Sequence, residues 1–221
     1  MSGRRKYSAS KTRQLQFFRA AAPCLFPENN ERASIQRNAR EIERVSALLA
    51  YWLVPAEPQR TFFSRLIESL ATQNDAAPFE PHVTIYASLT NGADQPQRII
   101  EETVHAIAGP IALRVERVGL SEKFTKTLFV EFAASPQLSA LSKALQQLSS
   151  APREYELKPH LSLIYKHLND VEKRALAQRT SIPFSVVVFD EIKAITGPVR
   201  TKTRADVEAW RVVYSRNLFV K

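Results

Sequence analysis

The chain has 221 residues, 44% of them hydrophobic and 24% charged, and a formal net charge of +9. Its single cysteine, Cys24, excludes an intrachain disulfide and argues against thiolate metal sites. No apolar run approaches the roughly 18 residues of a membrane span, and five glycines with no G-x-x-x-x-G-K leave no nucleotide-cradling loop.

The charge is unevenly placed. Residues 1–44 hold ten Lys/Arg against four Asp/Glu, a net +6, and the remainder contributes only +3. The first 27 residues carry six basic groups and no acidic one, with Ser2, Ser8 and Ser10 and a small apolar patch at Leu15, Phe17 and Phe18. That composition fits a targeting presequence, a disordered basic arm that touches nucleic acid, or the product of an upstream start codon. Residues 1–44 are therefore read as a basic N-terminal extension, disordered or targeting. Residues 45–221 are read as one domain, long enough to bury a core without disulfides or metals. The expected location is the cytoplasm, or an organelle if the basic segment is a presequence.

The apolar run from Leu48 to Val54 reads as a strand. Pro58 suits the first turn of a helix, and Phe62, Phe63, Leu66, Ile67 and Leu70 then recur at helical spacing. A short strand over 81–86 follows. Ile99, Ile100, Val104 and Ile107 predict a helix stopped at Gly109-Pro110, where glycine permits a left-handed cap and proline prevents continuation. Val115, Val118 and Leu120 belong to a strand, with 126–132 as its hairpin partner. Ser135 is an N-cap with Pro136 just after it, ahead of a stripe at Leu138, Leu141, Leu145 and Leu148. A strand over 159–165 and a short helix over 170–178 come next. Residues 184–188, 191–195 and 210–214 read as extended. The loop 197–206, with Arg200, Lys202 and Arg204, reads as surface.

Two of these segments are near copies: Pro81-His82-Val83-Thr84-Ile85-Tyr86 and Pro159-His160-Leu161-Ser162-Leu163-Ile164-Tyr165. Each is preceded by an apolar run, a proline and a helical stripe, with 34 residues from Leu48 to His82 and 33 from Thr127 to His160. Matching strand–helix–strand units argue for an internal repeat. In a strand, residues two apart share a face, so His82 lies with Thr84 and His160 with Ser162. Two such strands brought together place two imidazoles and two hydroxyls around one cleft.

That set of groups suits a cyclic phosphodiester bridging two ribose hydroxyls. Opening it requires water to lose a proton as it attacks phosphorus, and the leaving alkoxide to gain one. One neutral imidazole and one imidazolium meet both needs near neutrality, and Thr84 and Ser162 can donate to the non-bridging oxygens as charge develops. No step requires a metal or cofactor, and the four histidines come with no obvious carboxylate ligand cluster.

The duplicated H-x-[TS] strands, 78 residues apart from His82 to His160, resemble those of the two-histidine phosphoesterase superfamily. The phrases Phe79-Glu80-Pro81-His82-Val83-Thr84 and Lys158 to Tyr165 are most similar to its cyclic phosphodiesterase branch. The resemblance covers about Ser46 to Tyr214. It implies an α+β fold of two pseudo-twofold-related lobes, each an antiparallel sheet with outer helices, facing each other across a central cleft. It implies His82 and His160 as the catalytic pair, Thr84 and Ser162 as phosphate ligands, and Tyr165 as a residue that reaches the substrate pocket. The chemistry it implies is metal-independent opening of ADP-ribose 1″,2″-cyclic phosphate or nucleoside 2′,3′-cyclic phosphates, usually to the 2′-phosphate or the corresponding ribosyl phosphate.

The expected partner is thus a small ribose cyclic phosphate met by a monomer with no membrane contact. The runner-up is an RNA-end processing enzyme (2′-5′ RNA ligase or phosphodiesterase-like) or an RNA-binding protein on the same scaffold. It would use the basic arm and the Arg200 to Arg204 loop, but the body's +3 and its core-patterned aromatics favour the small substrate. A catalytically dead binder is disfavoured because both triplets are intact. Tyr86 is read as structural and His105 and His167 as surface residues; Lys126, in the hairpin after Phe124-Thr125, is read as a solvated lysine, the alternative being a lysine that steers a phosphate into the cleft.

Overall fold

The computed structural model describes residues 47–90, 92–105 and 109–219. The N-terminal extension and the predicted helical contact at Ile107 lie outside the described residues. Those residues form strands β1 (Ala47–Pro55), β2 (Val83–Thr90), β3 (Ile111–Leu120), β4 (Leu128–Phe132), β5 (His160–Ile164), β6 (Val186–Gly197) and β7 (Arg211–Asn217). The helices are α1 (Gln59–Gln73), α2 (Pro96–Val104), α3 (Pro136–Leu148), α4 (Asp170–Arg179) and α5 (Arg204–Glu208). None of the described helices is long and apolar enough to cross a membrane.

All strand pairings are antiparallel, in the order β1-β2-β5-β4-β3-β6-β7, and an added β1–β6 pairing joins six of them into a ring. The two lobes are halves of this sheet, β7-β6-β1-β2 and β6-β3-β4-β5. β6 belongs to both: residues 186–189 pair with β3, and residues 189–197 pair with β1. The two extended stretches read at 184–188 and 191–195 are therefore one strand. On the far side the halves meet where β2 and β5 touch at Val83↔Leu161. These are the residues that follow His82 and His160, so the pseudo-twofold axis passes between the two motifs.

The internal repeat holds at the level of register. Trp52 of β1 pairs with Thr84, and Phe129 of β4 pairs with Ser162. In both copies the register slips just before that pair, leaving Ile85 and Leu163 as the extra residues of matching β-bulges. The helices cross over: α3, which follows β4, packs on β2, and α1, which follows β1, packs on β5. Ser142 of α3 donates to the carbonyl of the bulge residue Ile85 at 2.7 Å.

Local chemistry accounts for the helix ends. The Ser135 hydroxyl accepts from the Leu138 N–H, with Pro136 at the first helical position. Asn169 and Glu172 form a capping box on α4. Pro58 lies just outside α1 rather than in its first turn, and the Glu57 carboxylate accepts from the Thr61 N–H instead. Gly109 adopts φ 83°, the left-handed conformation expected at that stop. Phe63, Ile67 and Leu70 of α1 and Leu138, Leu141 and Leu145 of α3 bury the predicted stripes against Leu49, Tyr51 and Leu53 of β1 and Ile85, Leu161 and Leu163 of the motif strands. Each such side chain contributes about 1.5–3 kcal/mol on burial.

Candidate active site

One face of β1 and the start of β2 and β5 turn away from this core into a cleft of about 290 Å³. Leu48, Ala50 and Trp52, alternate residues of β1, form its floor, and His82, Thr84, His160 and Tyr165 line it. The remaining lining includes Thr125, Thr201 and Trp210. The antiparallel contact at Val83↔Leu161 explains the meeting of the two motifs. Continuing that register one residue each way sets His82 opposite Ser162 and Thr84 opposite His160, with all four side chains on the face away from the core.

The two imidazoles are held alike. His82 Nδ1 lies 2.7 Å from the Glu80 carbonyl and His160 Nδ1 2.7 Å from the Lys158 carbonyl, each two residues upstream. A carbonyl only accepts, so Nδ1 carries the proton in both rings and Nε2 keeps its lone pair. His82 Nε2 lies 3.5 Å from the Tyr165 hydroxyl.

Their surroundings differ. His82 is 5% exposed, stacked on Trp52 and edged by Phe79 and Trp210. Burial pushes its pKa down to about 3, against the hydrogen bond to Glu80 and with the help of nearby His160. His160 is half-buried, with the edge of Phe129 against it. Its pKa is lowered too, first by burial and then by Lys126, while the Lys158 carbonyl opposes the shift.

Thr84 faces the cleft with no hydrogen bond to its hydroxyl among the described residues. Ser162 is buried and is not among the lining residues: its hydroxyl donates to the Thr125 carbonyl at 2.7 Å. Tyr165 lies inside the site, stacked flat on Phe79 at 3.9 Å, and burial raises its phenol pKa against the opposing effect of Ser162. Tyr86 is fully buried in the core, and His105 and His167 are exposed, as read from the sequence. Lys126 is half-buried rather than solvated, its ammonium 4.1 Å from the centre of the Phe129 ring. Among the described residues no cluster of three or more His, Cys, Asp or Glu side chains is placed to hold a metal ion.

Sequence reasoning missed Trp52, Phe79, Thr125, Thr201 and Trp210. The apolar run from 48 to 54 is hydrophobic on both faces, so nothing in it shows that 48, 50 and 52 leave the core. The usable signal was the repeat itself, which pairs Trp52 with Phe129 as the residues opposite the two motif hydroxyls.

A unit duplicated down to its bulges, with an imidazole tethered in the same way in each copy, defines the class of two-histidine phosphoesterases. Within that class the chain belongs to the cyclic phosphodiesterase-like protein family, whose model matches residues 48–218, and it is a phosphodiesterase enzyme. A curated relative, the cyclic phosphodiesterase of Arabidopsis thaliana, is 26% identical over 123 residues, covering 56% of this chain and 67% of the relative. Among solved structures the chain matches Escherichia coli LigT complexed with 3′-AMP, with 11% identity, a TM-score of 0.49 and coverage of 78% of this chain and 98% of that one. Usb1 of Kluyveromyces marxianus matches with 11% identity and a TM-score of 0.37, over 66% of this chain and 92% of that one.

Proposed function

We propose that the chain hydrolyses a ribose cyclic phosphate, ADP-ribose 1″,2″-cyclic phosphate or a nucleoside 2′,3′-cyclic phosphate, with His82 and His160 as its acid–base pair. The observation that carries this reading is the matched tethering of the rings, each Nδ1 fixed by a carbonyl two residues upstream, with both histidines lining one cleft. One Nε2 takes a proton from water as its oxygen attacks phosphorus. The other, protonated, delivers a proton to the ribose oxygen as the P–O bond breaks, leaving a phosphomonoester.

Burial lowers both pKa values and so disfavours the imidazolium of either ring in the free protein. An arriving phosphate anion favours the imidazolium and raises them, so that substrate binding itself loads the acid. The Thr84 hydroxyl is available to a non-bridging oxygen. The Ser162 proton is committed to Thr125, so Ser162 acts by holding the 124–126 turn, and Thr125 with it, at the cleft wall. The small volume of the cleft suits a compact ligand, and the name of the Arabidopsis relative agrees with the reaction.

Phosphorus NMR of the full-length protein with each cyclic phosphate, in EDTA, tests this directly. A new phosphomonoester resonance is expected. Turnover of neither small substrate, with an RNA oligonucleotide ending in a cyclic phosphate opened instead, would replace this reading by RNA-end processing.

A further inference from the structure

Among the described residues the lining of the cleft contains no lysine or arginine, yet its His160 side is bordered by a concentration of cations. The short 3-10 helix Phe124–Lys126 sets Lys126 over the face of Phe129, whose edge meets His160 with ring centroids 5.6 Å apart. Loss of water pushes the Lys126 ammonium pKa down, and Lys123, Lys158 and Arg117 push it further against the pull of Glu131.

The neighbouring carboxylates are already engaged. Glu131 holds Arg117 at 2.6 Å, Glu156 holds Lys158 at 2.8 Å, and Glu122 holds Lys173. Lys123 and Lys126 have no carboxylate partner among the described residues. A half-buried ammonium kept among like charges is costly unless an anion meets it.

The opposite rim offers no equivalent. Arg200 and Lys202 are exposed, and it is Val199 and Thr201 between and beside them that line the cleft. Arg204 is paired with Glu208 and Asp75. Fully hydrated charges gain little from an ion pair, whereas Lys126 has already lost part of its water.

We propose that Lys126, with Lys123 beside it, forms a second anion subsite that receives a further phosphate group of the substrate while the cyclic ester lies between His82 and His160. The inference rests on the reading of the cleft as a phosphate-ester site and narrows its substrates to ribose cyclic phosphates that carry another phosphate. That group can be a terminal or diphosphate group of a small molecule or the next phosphodiester of a nucleic-acid strand.

Calorimetric binding of ring-opened ligands to the full-length protein separates these cases: a nucleoside 2′-phosphate, the 2′,5′-bisphosphate, and a dinucleotide ending in a 2′-phosphate. The wild type should bind at least one of the two doubly charged ligands about tenfold more tightly than the monophosphate, the range of a charge-assisted hydrogen bond. In Lys126→Gln, and further in the double variant with Lys123→Gln, that ratio should fall below about threefold, with thermal melts verifying the fold. Lys143→Gln, an exposed position on α3, should keep the wild-type ratio. Preference for the bisphosphate assigns the subsite to a small molecule, and preference for the dinucleotide alone assigns it to a strand. Monophosphate binding with no gain from a second phosphate, or a gain that survives both substitutions, overturns the subsite alone. Binding of none of the three removes the phosphate-ester reading of the cleft with it.

Discussion

The Trp52 indole and the His82 imidazole lie face to face, their ring centroids 3.6 Å apart and their planes 7° from parallel. Phe129, at the same place in the second copy, meets His160 edge-on at 75°. The cause lies one strand further out. Phe129 pairs with Gly119, where an added Cβ would fall 2.5 Å from its ring, so the ring rests in space that only glycine leaves open. Trp52 has Lys193 opposite it and lies flat on the histidine instead. A symmetric backbone thus carries asymmetric rings, one enclosing its histidine and the other leaving it half open.

Trp52→Ala should admit water to His82 and move its pKa from about 3 toward the ordinary imidazole value near 6.5. Loss of the stack should lower kcat by up to about tenfold, and Trp52→Phe should restore most of it. An NMR titration of the His82 ring reads the shift. A His82 resonance that titrates as in wild type would show that the indole does not set its environment.

His82→Ala and His160→Ala should each lower turnover by about 10²–10⁴, the usual range for acid–base catalysis. The double variant should lose far less than the product, because the two rings act as one unit. Steady-state rates on one cyclic phosphate suffice, and strictly multiplicative losses would contradict the shared mechanism.

The pH profile carries a sign. The active free protein holds one proton on the pair, and both pKa values lie below 6.5. The bell of kcat/KM should therefore be centred on the acid side of 6.5, with limbs that belong to the pair. The profile of kcat should lie at higher pH, since bound phosphate raises both values. Stability follows the same linkage. His82 has a folded pKa below its unfolded one, so its contribution is fully present above about pH 6.5 and is lost as pH falls toward about 3. Thermal melts of wild type should drop more steeply through that window than those of a His82→Phe variant.

The two motif hydroxyls should separate on mutation. Thr84→Ala removes a cleft donor and should lower kcat about tenfold with little change in Tm. Ser162→Ala leaves the half-buried Thr125 carbonyl without its donor and should cost about 1 kcal/mol of stability as well as activity. Equal melting temperatures for the two variants would show that the Ser162 bond contributes nothing to the turn.

Removing residues 1–44 should leave turnover of a small cyclic phosphate and its pH profile unchanged, because both motifs and the strands that carry them lie beyond that segment. A truncated protein that melts normally yet loses this turnover would make the extension part of the site.

The sequence by itself determined the repeat, the helical stripes and the identity of the two histidines. Those features are local: period-two and period-3.6 patterns, caps and a duplicated triplet are all written within a few residues of one another. Pro58 sits one position ahead of the first turn of α1, where the Glu57 carboxylate accepts from the Thr61 N–H, a contact that the proline by itself does not signal. What only the tertiary structure decided depends on contacts between distant segments. The Val83↔Leu161 pair turns two motifs into one cleft, and β1, apolar on both faces, shows which residues leave the core only once β2 and β6 flank it. Ser162 spends its proton on Thr125, which lies 37 positions upstream. Gly119 tilts Phe129, Phe129 carries Lys126, and the ammonium of Lys126 comes to the side of His160. Apart from Lys126 and Phe129, three residues apart, these partners are distant in sequence, and strand register and burial, which set them, are properties of the assembled sheet.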